Sequence, residues 1–573
     1  MLEFTRLKKN LKKDFSQLRK VKVAVLADSS SQLFCQTLRG YGYEAKIDFE
    51  IYEADYDQIE RQVYDFSSDL YKFIPDFIFV AYSPYKLLSK FYKIPEVEKL
   101  LYADKILEDI NGLISSIQSS LTTTKIVLLN FQEIEEGIFG NFANKLKHSF
   151  LYQIRKINFH LMDRAEHIKS LFICDVQSLQ NQYGVNFILN NKNYINADMI
   201  WSVDFLPVLA KNITDIIGAS IGQIKKCLII DLDNTIWGGI IGDDGIEGIQ
   251  IGDLGIGKAY TEIQYWVKGL KNRGVIICVC SKNTEEIAKK PFREHPEMVL
   301  RLQDISVFIA NWENKVDNIF HIQQVLNIGF DSMVFLDDSS YERGIVKKII
   351  PELNVPNLPE DPVDYLPYLK SLNLFETASF SSEDKSRTEQ YQEEAKRVVY
   401  RKIFRDENNY LQSIEMKSGI SEFNRFNAPR IAQLSIRSNQ FNLRTIRYSE
   451  EEINKIIESP NHYHFVFSLS DKFGDSGLIA VVILLVKGEN LFIDTWLMSC
   501  RVLKRGMEQF ILNTLVKCAR KKGFKFLEGE YIRTAKNGIV KDLFGSLGFI
   551  EKKGFWYLNI NDFKNIQTFI SEL

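Results

Sequence analysis

The sequence holds only seven cysteines, Cys35, Cys174, Cys227, Cys278, Cys280, Cys500 and Cys518, and no CxxC pair. An odd, scattered set, partly inside apolar runs, gives neither a disulfide framework nor zinc-ligand spacing. The thiols are expected to be buried and reduced, in a cytoplasmic protein. An excess of one charge is also missing. With 72 Lys and Arg against 74 Asp and Glu, the formal net charge is −2. That removes the electrostatic case for a nucleic-acid partner or a polybasic membrane contact. No window approaches the roughly 20 apolar residues of a membrane span. The opening MLEFTRLKKNLKKDF lacks the apolar core of a secretory signal. Its Leu2, Phe4, Leu7, Leu11, Phe15 and Leu18 recur at helical spacing and predict an amphipathic helix docked on the body of the protein. Repeats and low-complexity tracts are absent.

What is present is the balance of a folded protein. Apolar residues are 45% and charged residues 25% of 573, a length that suggests roughly three or four domains. Residues 1–215 alternate short apolar runs, VKVAVLAD (21–28), FIFVAY (77–82), KIVLLNF (125–131) and SLFICDV (170–176), with helical patterns. This predicts a parallel sheet covered by helices on both faces. Residues 216–375 repeat the pattern with CLIIDLD (227–233), VIICVCS (275–281), VFIAN (307–311) and MVFLDD (333–338). These are continuous apolar runs of doubly buried strands, and several end in a polar residue at the carboxyl edge, where such sheets bind ligands. Five prolines in 351–367 mark a linker. Beyond it, residues 376–573 begin with a charged helical stretch. A meander (HYHFVFSLSD, GLIAVVILLV, NLFIDTWLMS), a long helix (GMEQFILNTLVKCARKKG) and a strand (FKFLEGEYI) follow.

The segment CLIIDLDNTIWGGIIGDDG (227–245) carries the chemistry. Two aspartates two residues apart at the end of a buried strand repel each other and need compensation. A hard cation such as Mg2+ supplies it through oxygen ligands and a substrate phosphate. One carboxylate can then attack phosphorus while the other moves protons. Asp243 and Asp244 lie in a glycine-rich flap (238–249) and read as solvated turn residues.

DLDNT resembles the first motif of the haloacid dehalogenase (HAD) superfamily. The resemblance implies Asp231 as nucleophile and metal ligand. It implies Asp233 as general acid/base, with its carbonyl on the metal. The other motifs follow in the family's order: Ser281 in VIICVCSKN, Lys315 in NWENKVDNI, and the acidic pair Asp337 and Asp338 in MVFLDDSSYER. Asp338 is favoured as the direct ligand and Asp337 as its support. Asn234, Thr235, Lys282 and Asn283 are the implied phosphate-binding neighbours, with Ser281 and Lys315. The short spacings between motifs leave no room for a cap domain, so an open site for a bulky substrate is expected.

The wording DLDNTIWGGIIGDDG, CSKN and FLDDSSYER is close to the FkbH-like proteins of HAD subclass IIIC. That resemblance implies a phosphatase or phosphoglyceryl transferase acting with an acyl carrier protein in polyketide or surface-polysaccharide assembly. NQFNLRTIRY, FGDSGLIAVV and SCRVLKRGMEQFIL resemble the family's GNAT-like acyltransferase region. There an (R/Q)xxGx(G/A) loop would hold coenzyme A or phosphopantetheine, here Arg501, Lys504, Arg505 and Gly506, with lysine in place of the first glycine. Residues 1–215 resemble SGNH hydrolases through Asp28-Ser29. Ser29 is the nucleophile candidate, but INADMIWSVDFLPVLA offers no histidine base, and His160 and His167 read as bystanders on a helix. That domain is therefore expected to be non-hydrolytic. The expected architecture is multidomain α/β: an SGNH-like three-layer domain, an uncapped HAD Rossmann-like core and a GNAT-like α+β domain. A plain sugar or nucleotide phosphatase and a non-catalytic scaffold are the competing functions.

Overall fold

A computed structural model describes residues 2–134, 136–381, 384, 387–534 and 536–573. The chain divides into two compact units, Met1–Gly218 and Ala219–Leu573.

In the first unit, strands β1 (Arg19–Ala27), β2 (Ile47–Glu53), β3 (Phe77–Ala81), β4 (Lys125–Leu129) and β5 (Leu171–Cys174) form one parallel sheet in the order β2-β1-β3-β4-β5. Ala24, Leu26, Ile78, Val80, Ile126 and Leu128 share a core with the helices Tyr102–Ser120 and Phe150–His167. Strand β2 is an edge strand whose IDFEIYE is too charged to stand out as an apolar run. The expected long first helix is cut to Phe4–Asn10. Beyond it, Asp14 accepts from the backbone N–H of Ser16 at 2.8 Å, a local turn that competes with the helix. The short helix lies close on Gln32–Glu44, because a Cβ at Gly40 would stand 2.3 Å from the carbonyl oxygen of Leu7.

The second unit opens with β6 (Cys227–Ile230), β7 (Ile276–Ser281), β8 (Val307–Ala310) and β9 (Met333–Leu336), all parallel in the order β8-β7-β6-β9. Alternation along β6 explains its unbroken apolar run. Leu228 and Ile230 enter the core on one face, Cys227 and Ile229 that on the other. The helices Ile241–Gly248 and Gly255–Asn272 fill the stretch between β6 and β7, and Glu285–Glu294 lies between β7 and β8, so no cap domain is inserted. The flap ends are pinned by paired backbone hydrogen bonds between Gly238 and Gln250, at 3.1 and 2.8 Å. The proline-rich segment packs on this sheet rather than hanging free. Val355 and Leu358 are buried, and Phe335 N–H donates to the Asn354 carbonyl at 2.9 Å.

The remainder forms a nine-stranded sheet from β10 (Lys417–Ser418), β11 (Ile420–Ser421), β12 (His462–Asp471), β13 (Gly474–Lys487), β14 (Asn490–Met498), β15 (Phe526–Glu530), β16 (Ile550–Lys552), β17 (Phe555–Asn559) and β18 (Ser571–Glu572). The predicted meander is β12-β13-β14. The helix Met507–Lys522 then crosses over to β15, which pairs in parallel with β14 only over Asn490–Ile493. Past Ile493 the chain's own Phe441–Leu443 fills the gap. Met498 N–H donates to Phe441, Leu443 N–H to Trp496, and Ile532 N–H to Leu443. This part is fastened to the β6–β9 part by Lys226, which donates to the Arg437 carbonyl at 2.8 Å, by Arg387, which donates to the Gly274 carbonyl at 3.3 Å, and by the Lys536–Asp331 ion pair. No helix among the described residues is long and apolar enough to cross a membrane.

Candidate active site

Strand β6 delivers Asp231 to the carboxyl edge of its sheet, where its N–H donates to the Leu336 carbonyl of β9 at 2.9 Å. This register sets Asp231 beside Asp337 and Asp338. A ligand oxygen from each of the three lies within 4.8 Å of the others. Lys315, the first residue of the helix Lys315–Leu326, sends Nζ between two of them, 2.8 Å from Asp231 Oδ2 and 2.6 Å from Asp337 Oδ2. Burial alone would lower the lysine's pKa, but the two carboxylates hold it above its ordinary value. Asp337 has no exposure, and burial followed by the Asp231 charge pushes its pKa up to about 7 against the pull of Lys315. Asp338 is raised by the same two causes. Buried carboxylates thus outnumber the cation among them, a deficit that a divalent metal ion would offset.

The two acidic neighbours differ. Both oxygens of Asp337 are engaged, Oδ2 by Lys315 and Oδ1 by the Ser339 N–H at 2.9 Å. Asp338 is only half-buried and meets the Thr235 hydroxyl at 3.5 Å, while its N–H donates to that hydroxyl at 3.2 Å. Asp231 Oδ1 is buried and without a hydrogen-bond partner, an orphaned acceptor that a metal or a phosphorus electrophile would satisfy.

Asp233 is held by Trp237 and Ile241, which the motif did not single out, and by Asn283, expected instead at the phosphate. Its Oδ1 accepts from Trp237 Nε1 at 2.8 Å and from Ile241 N–H at 3.1 Å, and its Oδ2 accepts from Asn283 Nδ2 at 3.1 Å. Burial raises its pKa, the direction a proton donor needs. Asn234 takes a left-handed backbone (φ 51°), and its Oδ1 accepts from Gly239 N–H at 2.9 Å, so it shapes the turn into the flap. Ser281 ends β7 and is buried. Lys282 pairs with Glu342 at 2.6 Å. Arg343 donates to the carbonyls of Asp337 and Asp338. Glu342 was missed because its partner Lys282 lies on a loop distant in sequence, and Arg343 because its reach back to the Asp337 and Asp338 carbonyls leaves no pattern in the sequence.

The other expected sites are less complete. Ser29 is buried, with an Oγ that lacks a partner, and its neighbour Asp28 accepts from Ser83 N–H at 2.8 Å. His160 pairs with Asp163 on the helix Phe150–His167, and Trp201 is buried near Phe34. Around the C-terminal loop, Arg505 pairs with Glu394 and Asp471 and donates to the Arg501 carbonyl, while Arg501 donates to Ser499 and Gln390. Lys504 (φ 63°) and Gly506 (φ 79°) are left-handed. A cavity of about 380 Å³ beside them is lined by Lys504, Gly506, Glu508, Gln509, Leu543 and Phe569. Burial holds the Glu508 carboxyl above its ordinary range at the start of the helix, facing the N–H groups an anion would use. The loop therefore does not fit the pyrophosphate of coenzyme A. Its arginines are committed, and a carboxyl faces the helix start.

A lysine set among buried carboxylates at the mouth of a cap-free parallel sheet defines the class: phosphatases and phosphotransferases of the HAD type. Comparison with known proteins narrows this. The model of the FkbH N-terminal domain matches residues 22–218. The N-terminal part of the protein BF1531 from Bacteroides fragilis, which contains a phosphatase domain and was solved with Mg, is 49% identical. The match covers 66% of this chain and 100% of that one, at a TM-score of 0.64. The chain belongs to the FkbH family. The ribosomal-protein-S18-alanine N-acetyltransferase from Escherichia coli is also similar, at 19% identity over 25% of this chain and 94% of that one. So is a GNAT-family acetyltransferase from Staphylococcus aureus, at 11% over 25% and 99%. Both TM-scores are 0.21, which carries no argument about activity. No curated protein matches the chain.

Proposed function

We propose that the chain is a magnesium-dependent phosphatase or phosphotransferase working through an aspartyl phosphate on Asp231. We divide it into an SGNH-like part (1–215), a HAD part (216–375) and a GNAT-like part (376–573). The observation that carries the chemistry is the Asp231 side chain, with one oxygen fixed by Lys315 and the other buried without a partner. Asp231, Asp338 and the Asp233 carbonyl would hold Mg2+, with Asp337 behind them, and the Mg in the BF1531 phosphatase domain supports that choice. The ion would neutralise phosphate charge. Asp231 attacks phosphorus as the ester oxygen leaves, and Asp233 gives that oxygen its proton. Asp233 then takes a proton from the water that opens the acyl phosphate, or from an acceptor hydroxyl in transfer. Lys315 and Ser281 hold the phosphoryl oxygens, with Thr235, Lys282 and Asn283 fixing the loops around them.

The physiological substrate is a bulky phosphorylated molecule, as the open site suggests. Trp312, on the loop after β8, and Tyr341, in the first turn of the helix after β9, are 74% and 70% exposed and follow the two edge strands of the sheet. The family resemblance points to a carrier-bound intermediate of polyketide or surface-polysaccharide assembly in the cytoplasm, and the free thiols agree with a reducing compartment. Free coenzyme A has no part in this reading, and phosphopantetheine would enter only as the arm of the carrier. Calorimetry checks this: no heat with coenzyme A at millimolar concentration is expected, and saturable binding would contradict it. Trp312→Ala with Tyr341→Ala should raise KM for a carrier-bound substrate and leave that for a small phosphate ester unchanged. An equal effect on both would remove the bulky-substrate reading.

A further inference from the structure

We infer that Glu342 and Arg343 are positioning residues that fix the backbone carbonyls of the Asp337–Asp338 loop and the lysine of another loop. This rests on the phosphoryl-transfer reading and adds two residues to it. The helix Ser340–Ile349 begins directly after the acidic pair, and its first turn sits over the site. Arg343 NH1 donates to the Asp337 carbonyl at 2.7 Å and to the Asp338 carbonyl at 2.6 Å. The side chain is 8% exposed, and its Nε is buried without a partner. A guanidinium is costly to bury against carbonyls, and here its charge lies behind the two aspartates that would face a cation. One guanidinium nitrogen, donating to both carbonyls, constrains the two peptide groups at once, which sets the direction in which the two carboxylates leave the backbone.

Glu342 works across the sheet. It is 7% exposed and takes Lys282 Nζ at 2.6 Å, holding the loop that follows Ser281 at the end of β7. Since β6 lies between β7 and β9, the Glu342–Arg343 dipeptide joins the two loops that flank the Asp231 strand. Residues of this kind, one contact removed from the reacting groups, typically change metal affinity or activity by about 10–100-fold when replaced.

The test uses the full chain and Mn2+ alone, with binding read by paramagnetic resonance and by melting temperature. Arg343→Lys and Arg343→Gln should both weaken Mn2+ binding by about 10-fold or more, with melting in EDTA near wild type for the lysine variant. Glu342→Gln should leave Mn2+ binding unchanged and raise KM several-fold at nearly constant kcat. Wild-type Mn2+ affinity in both Arg343 variants would overturn the inference. So would a loss confined to Arg343→Gln and matched by a lowered melting temperature in EDTA, which marks a purely structural side chain. Absence of Mn2+ binding by the wild type would overturn the phosphoryl-transfer reading and this one with it.

Discussion

Two parallel sheets in this chain follow their first buried strand with an aspartate, Asp28 after β1 and Asp231 after β6. Asp28 is about as buried as Asp231, at 7% against 6% exposed, but among the described residues it stands without a second buried carboxylate beside it, and the charges around it reach water. Lys86 donates to its carbonyl and pairs with Asp57 at 3.2 Å and Asp198 at 3.6 Å, whose side chains are 56% and 28% exposed. Asp231, Asp337 and Lys315 are walled off, with side-chain exposures of 8%, 0% and 4%. Asp28 is a single buried carboxylate whose charged neighbours are screened by water, whereas Asp231 shares its buried site with Asp337 and keeps their mutual repulsion. The same strand ending therefore gives a lone buried carboxylate in one sheet and an electrostatic demand for a cation in the other.

Replacing Lys315 with Met should break the contrast most severely. Asp231 and Asp337 would lose their cation, with a destabilisation of about 3–5 kcal/mol in EDTA and loss of phosphate release. Denaturant melts measure the first, and a wild-type midpoint would refute the buried-pair account. The next effect concerns Asp28, whose pKa burial pushes up to about 6 from 3.8. A raised folded-state pKa stabilises at low pH, and that stability is lost as pH rises from near 4 through 6. The difference is about 3 kcal/mol at most. Asp28→Asn should flatten this part of the stability profile of residues 1–218, and an unchanged slope would contradict the burial of Asp28. The smallest effect belongs to Ser29→Ala. Removing a buried hydroxyl that has no partner should change stability by less than about 0.5 kcal/mol and phosphate release not at all. Loss of an esterase activity in this variant would reverse the non-hydrolytic reading.

Much of the β6–β9 part was legible, because buried parallel strands write themselves as apolar runs and each ends on a polar residue. Asp231, Asp337 and Asp338 stand at those endings, and Lys315, at the start of a helix, was marked by the resemblance to the HAD motifs. Three things were hidden. Strand β2 sits at an edge, where IDFEIYE needs only one buried face. The contacts of Asp233 with Asn283 and of Glu342 with Lys282 depend on loop closure between separate strands, and those of Asp233 with Trp237 and of Arg343 with the acidic pair on local turns, neither of which leaves a periodic mark. The filling of the β14–β15 gap by Phe441–Leu443 is a backbone pairing that side-chain patterns do not record. The proline-rich stretch read as a linker because proline breaks helices and ladders. It packs on the sheet because Val355 and Leu358 still have apolar surface to bury.

The most direct measurement is phosphate release from a panel of phosphate esters and acyl phosphates, with and without Mg2+, by the wild type and Asp231→Asn side by side. Release that requires both the metal and Asp231, with a loss on the order of 10³-fold or more in the variant and an unchanged melting temperature in EDTA, is the expected result. Release that persists in Asp231→Asn would contradict the nucleophile assignment and the account built on it.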